Sequence, residues 1–239
     1  MEITTIIVGV ILPYAAMITF LVGMIYRINT WWKLPSPAMT LFPAPPTGRA
    51  NTLNVLEEAF LFKSLLKGDR ALWILAWPFH ALLLLIAVGH LRVFTDVDAM
   101  LRAVGMSEEN IQSMSSYAGG AAGVVILITV ILLLVRRMSL QRVREITGTA
   151  DYLALALIGA IIVTGDMMRF SAEHFDLALT RDYFAALATF SNVMTMEALK
   201  NDLFLLHMCL AFLLIMFIPF SKILHFGGIF FTQQLIRRQ

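Results

Sequence analysis

The sequence holds one cysteine, Cys209, among 239 residues, and only 14% of its residues are charged. A lone thiol excludes an internal disulfide, a four-thiolate zinc or iron–sulfur site and a Cys-x-x-Cys-His haem attachment. The charge content is about half that of a soluble domain, whereas 59% of the residues are hydrophobic. A net charge of +2 gives no basic footprint for nucleic acid. Internal repeats and low-complexity tracts are absent, and so is the basic start of a cleavable signal: after Met1 and Glu2 the apolar run from Ile6 to Tyr26 is long enough to span a bilayer by itself. An integral membrane protein is what remains.

Five apolar segments, about 5–26, 71–91, 119–135, 152–168 and 203–224, predict an all-α, five-helix transmembrane bundle that takes up 1–239 as a single domain. The third and fourth are short and must extend into the flanking turns or stand upright. Between the first two lies a connection, 31–70. It opens on Trp31 and Trp32, an interfacial pair, and continues through Pro35, Pro37, Pro43, Pro45 and Pro46, which forbid regular helix. Thr52 to Lys67 then reads as one amphipathic helix, with Leu53, Leu56, Phe60 and Leu61 on a stripe, lying on the membrane surface, docking a partner, or tucked under the bundle. Lys and Arg fall thirteen to one side and five to the other, so the positive-inside rule puts the N-terminus outside and the C-terminus in the cytoplasm.

Redox or metal chemistry in such a chain rests on its five histidines. His80 and His90 belong to the second span, His207 and His225 to the fifth. Ionisable groups at membrane depth cost about 2.5–3.5 kcal/mol each or more, which marks them as functional. The two spans run in opposite directions, so His80 faces His225 at the inner level and His90 faces His207 at the outer. Two imidazoles across a gap are the ligand set of a six-coordinate b-type haem; a metal or proton pathway is the other use of the same pattern. Ten residues separate His80 from His90 and eighteen separate His207 from His225, roughly 15 Å and 27 Å of straight helix. Pro78 and Pro219 bend their helices and absorb part of the mismatch, with His225 beyond the second bend. His174 falls in an outer loop and reads as a surface residue. Met208, one residue after His207, points elsewhere on its helix. Cys209 reads as inert core, and Gly119, Gly120 and Gly123 as small-residue helix packing.

The stretches GHLR (89–92), YAGGAAGVVILITVILLLVRR (117–137), RVREITGTADYLALAL (142–157), SAEHFD (171–176) and LHMCLAFLLIMFIPFSKILHF (206–226) resemble the gamma-subunit family of respiratory nitrate reductase. That family includes the membrane cytochromes of sulfite-reduction-associated (Dsr) and heterodisulfide-reductase-like complexes. The resemblance covers nearly the whole chain. It implies a di-haem cytochrome b in a prokaryotic inner membrane, with one haem b on His80 and His225 and a second on His90 and His207. Electrons would pass to or from menaquinone or ubiquinone. A cytoplasmic iron–sulfur subunit, heterodisulfide-reductase-like or nitrate reductase beta-like, would dock near His225. A periplasmic haem-c subunit and further membrane subunits are partners of the Dsr-like complexes. The nitrate reductase branch carries a quinone-contacting lysine in its outer loop, and 92–118 contains none. The long 31–70 connection also looks more like the Dsr-type subunit, the favoured branch. The family and the positions suggest a quinone site at Gly89, His90, Arg92, Asp166 and Arg169. Haem propionates would pair with Arg136, Arg137 and Lys222 inside and with Arg92 and Arg169 outside. A transporter or a plain membrane anchor are the competing readings.

Overall fold

The computed structural model describes residues 3–33, 49–171, 176–225 and 227, and every regular element among them is helical. Five helices are long and apolar enough to cross a membrane: α1 (Ile3–Lys33), α4 (Arg70–Phe94), α6 (Glu108–Ser139), α8 (Thr149–Phe170) and α10, whose regular part is Asp202–Phe217. Two short helices, α2 (Arg49–Leu61) and α3 (Lys63–Gly68), precede α4. The remaining connections hold α5 (Val97–Ala103), α7 (Gln141–Arg144) and α9 (Leu177–Ala188). His174 and the Pro35–Pro46 stretch lie outside the described residues.

The expected third and fourth spans do lengthen at their ends. Ser107 caps α6 by accepting from the Asn110 N–H, so the helix starts eleven residues before the apolar run. The fifth ends earlier than its hydropathy suggests. At Pro219 the α-helix gives way to two 3-10 turns, Ile218–Phe220 and Lys222–Leu224, and His225 follows them.

The spans pack in the order α4, α6, α8, α10, with α1 against the outside of α10. Many outward side chains, Ile18, Leu84, Ile128 and Val163 among them, are apolar and exposed, as lipid contact requires. The densest core lies near one end, where Tyr183, Leu187, Leu199, Phe204 and Met208 surround Ala16. The connection between the fourth and fifth spans therefore contains a packed helix, α9.

Tyr183 ties that helix to the first span. Pro13 has no N–H to offer the Gly9 carbonyl four residues back, and the backbone widens into a π turn over Ile7–Ile11. Tyr183 Oη donates to that carbonyl at 2.7 Å instead. Burial pushes the Tyr183 hydroxyl well above its usual pKa, so it remains a donor. Tyr183→Phe leaves the carbonyl without this donor in a dry setting and is expected to cost about 1–3 kcal/mol, seen as a lower midpoint in thermal unfolding of the solubilised protein.

The amphipathic stretch is not one helix. Phe62 adopts a left-handed conformation, φ 51°, and divides α2 from α3. The break frees backbone acceptors, which the second span takes up: Trp73 Nε1 donates to Leu61 O at 2.8 Å and Trp77 Nε1 to Phe60 O at 2.9 Å. The Phe62 ring stands edge-on to His80, 5.1 Å between centres. The stripe residues Leu53, Leu56, Phe60 and Leu61 all face outward, so the helix lies on the surface and only its end is docked.

Candidate functional site

The side of the bundle between α4 and α10 brings the four histidines into two pairs. His80 and His225 have ring centres 5.8 Å apart with planes at 85°. His90 and His207 are 6.4 Å apart and nearly parallel, at 9°. With metal–imidazole bonds of about 2 Å, two rings sharing one iron stand roughly 6 Å centre to centre. Both separations fit.

The ring nitrogens are arranged for the same purpose. His80 Nδ1 donates to Ala76 O and His90 Nδ1 to Ile86 O, each at 2.7 Å and each to the turn below on the same helix. His225 Nδ1 donates to Lys222 O at 2.9 Å. His207 Nδ1 meets Thr164 Oγ1 at 2.9 Å. The Thr164 hydroxyl has one proton, which points to the carbonyls of Ala160 and Ile161, so it accepts from His207. All four rings thus spend Nδ1–H on a protein oxygen, which in the neutral imidazole leaves Nε2 as the nitrogen open to a metal. Haem iron in two bis-imidazole sites suits this donor set. Among the described residues, no group of three or more His, Cys, Asp or Glu gathers as a metal site; the histidines come in twos.

Glycines bear on the same sites. A Cβ on Gly89 would meet open space within 4 Å, whereas one on Gly165 would come within 3.3 Å of His207 Cε1. Gly119, Gly120 and Gly123 lie at the packing of α6 on α8, as expected of small residues. They make room for large side chains of α8. A Cβ on Gly119 would come within 2.9 Å of the Arg169 guanidinium, and one on Gly123 would run into the Asp166 carboxylate. The spacing of four residues matches Asp166 and Arg169, three apart on the facing helix.

The charged candidates divide by level. At the His90 end, Arg92 grips Asp98 with two N–H groups at 2.7 and 2.9 Å and donates to Ser115 Oγ at 2.5 Å. Arg92 holds the Asp98 carboxyl below its usual range. Arg169 donates to Ser115 O at 3.0 Å. Arg181, from α9, donates twice to Arg92 O at 3.1 and 3.0 Å. Asp166 makes no hydrogen bond or ion pair among the described residues, so it and Arg169 do not form the mutual bridge that their spacing suggests. At the His80 end, Arg136 pairs with Asp69 at 2.7 Å, and Asp69 also caps α4 through the Leu72 N–H. The Leu72 N–H and then Arg136 hold that carboxyl below its usual range. Arg137 reaches Thr147 at 3.4 Å, and Lys222 pairs with Asp151 at 2.6 Å.

The irregular segment before His225 is pinned from two sides. Arg27 Nε donates to Pro219 O at 2.8 Å, and a Cβ on Gly23 would fall 2.6 Å from Pro219 Cβ. From the other side, Asp151 holds Lys222. Thr164, Ser115, Arg181, Phe62, Arg27 and Asp151 were not singled out by sequence reasoning. Each is an ordinary residue until its partner is known, and those partners lie as far as 192 positions away.

Comparison with known proteins identifies the family of the chain. The nitrate reductase gamma subunit family matches residues 62–238. An Archaeoglobus fulgidus protein named Hdr-like menaquinol oxidoreductase cytochrome b-like subunit is 30% identical over 95% of this chain and 78% of its own. Its namesake from Archaeoglobus profundus is 28% identical over 92% and 76%. The respiratory nitrate reductase 1 gamma chain of Escherichia coli is 32% identical over 63% of this chain and 69% of its own. The five-span helical chain with its paired membrane histidines belongs to the nitrate reductase gamma subunit family.

Proposed function

We propose that this chain is a di-haem cytochrome b subunit of a quinone-linked membrane complex. It exchanges electrons between the quinone pool and a cytoplasmic iron–sulfur subunit. The observation that carries the reading is the set of four imidazoles in two facing pairs, each with Nδ1 engaged and Nε2 free. His80 and His225 hold the inner haem b and His90 and His207 the outer. The charge asymmetry of the connections supports the orientation, N-terminus outside, in a prokaryotic inner membrane.

Bound haem b supplies one-electron redox chemistry that no side chain here offers. The chain supplies ligation, burial and positioned charge, the levers that tune potential. At the outer level, Gly89 leaves space beside His90, and Asp166 presents an acceptor without a hydrogen-bonded donor among the described residues. A quinol hydroxyl needs such an acceptor when it gives up its proton. Gly89, His90, Arg92, Asp166 and Arg169 form the proposed quinone site. Arg92 is held by Asp98 and Ser115, which fixes its position for that role.

The menaquinol in the names of the two archaeal relatives favours menaquinone over ubiquinone. Their coverage supports a heterodisulfide-reductase-like iron–sulfur partner, the Dsr-like branch, over the nitrate reductase one. The test is optical. Protein purified after expression with ample haem should give two haems b per chain by pyridine haemochrome, and added menaquinol analogue should reduce them. A colourless product sinks the proposal.

A further inference from the structure

The last turns before His225 are not continuous with the span that delivers them. After Phe217 the backbone leaves the α-helix, and the ring is set by two short 3-10 turns. Such turns have few internal hydrogen bonds to hold an orientation, so the bearing of His225 depends on what grips the segment. Two groups do. Arg27 takes the Pro219 carbonyl at 2.8 Å. Lys222 is gripped through its side chain, by Asp151 Oδ2 at 2.6 Å, and its own carbonyl accepts from His225 Nδ1 at 2.9 Å. One residue thus joins the buried carboxylate of α8 to the orientation of the ring.

The burial of the pair is lopsided. The Asp151 side chain is 5% exposed and that of Lys222 is 74% exposed. Asp151 is fixed as well by the Gly148 N–H at 3.0 Å. The carboxylate is the fixed post and the lysine the tether.

We infer that Asp151 is a positioning residue for the inner haem: through Lys222 it sets the orientation of the His225 imidazole, with Arg27 as the second anchor of the same segment. This rests on the di-haem reading proposed above. Haem content of the unaltered chain tests that reading, and the variants test the anchor.

The experiment uses the full chain in membranes, or purified with haem. Redox titration and low-temperature EPR resolve the two low-spin signals, and His225→Ala identifies the inner one by its loss. Asp151→Asn should weaken retention of the inner haem about tenfold, the lower end of what losing an outer-shell partner of a ligand costs. It should also shift that haem's EPR g-values and midpoint, with the outer haem unchanged. Lys222→Gln should do the same. Asp151→Glu should largely keep the native signals, and the exchanged pair Asp151→Lys with Lys222→Asp should recover part of the loss. Arg27→Gln should move the same signal and not the other. If Lys222 instead serves a propionate, Lys222→Gln shifts the inner haem while Asp151→Asn leaves it native. That result overturns the inference. So does equal loss of both haems in Asp151→Asn with no recovery in the exchanged pair, the mark of a purely structural role.

Discussion

His90→Ala and His207→Ala should each remove the same haem signal and leave the other, and the double variant should lose no more than either one alone. His80→Ala and His225→Ala should remove the complementary signal. The reason is geometric: the rings that face one another are 6.4 Å apart in one pair and 5.8 Å in the other. Along α4, the ten residues between the levels amount to about 15 Å. On the proposed di-haem reading, removing one imidazole would leave its haem with a single protein ligand, so loss of that haem should approach completeness. Combining His80→Ala with His207→Ala should empty both positions. Retention of one full haem in that combination would mean that the pairs are wrongly drawn. Haem quantitation together with EPR decides the matter.

Gly23→Leu should be strongly damaging although the glycine carries no functional group. Even the first carbon of the new side chain would sit 2.6 Å from Pro219 Cβ and 2.9 Å from Pro219 Cγ. A proline ring cannot swing aside as the end of a long side chain can, so the helix α1 or the segment carrying Pro219 must move. Overpacking of this kind costs about 1–3 kcal/mol. The movement has a specific direction. It pushes on the anchor of His225, so the inner haem should be depleted before the protein unfolds, while His90 and His207 keep theirs. A series of Gly23→Ala and Gly23→Leu, followed by thermal unfolding and inner-haem content, should show the loss growing with side-chain size. Equal depletion of both haems would deny the route through Pro219.

The spans and the histidine pairs were legible because both are written in local patterns. A run of about twenty apolar residues has one use in a membrane protein, and imidazoles within such runs are conspicuous against them. Antiparallel neighbours then pair His80 with His225 by direction alone. What was not legible depends on contacts between remote positions. Gly119 and Gly123 read as close-packing glycines because nothing in their own neighbourhood names Arg169 and Asp166 as the groups they admit. The break at Phe62 carries no glycine or proline to announce it. It is stabilised from outside, by Trp73 and Trp77 reaching back to Leu61 and Phe60. Arg92, Arg136 and Lys222 stand out as cations near the membrane ends, but sequence does not disclose that Asp98, Asp69 and Asp151 already hold them.

The wide turn near the beginning of the first span bears on the order in which the molecule is made. Its Gly9 carbonyl is without the ordinary donor because residue 13 is proline, and the replacement arrives from Tyr183, on a segment synthesised long afterwards. Until then the first span carries a polar defect where water is scarce. The final seating of that helix therefore waits for Tyr183, 174 positions further along the chain.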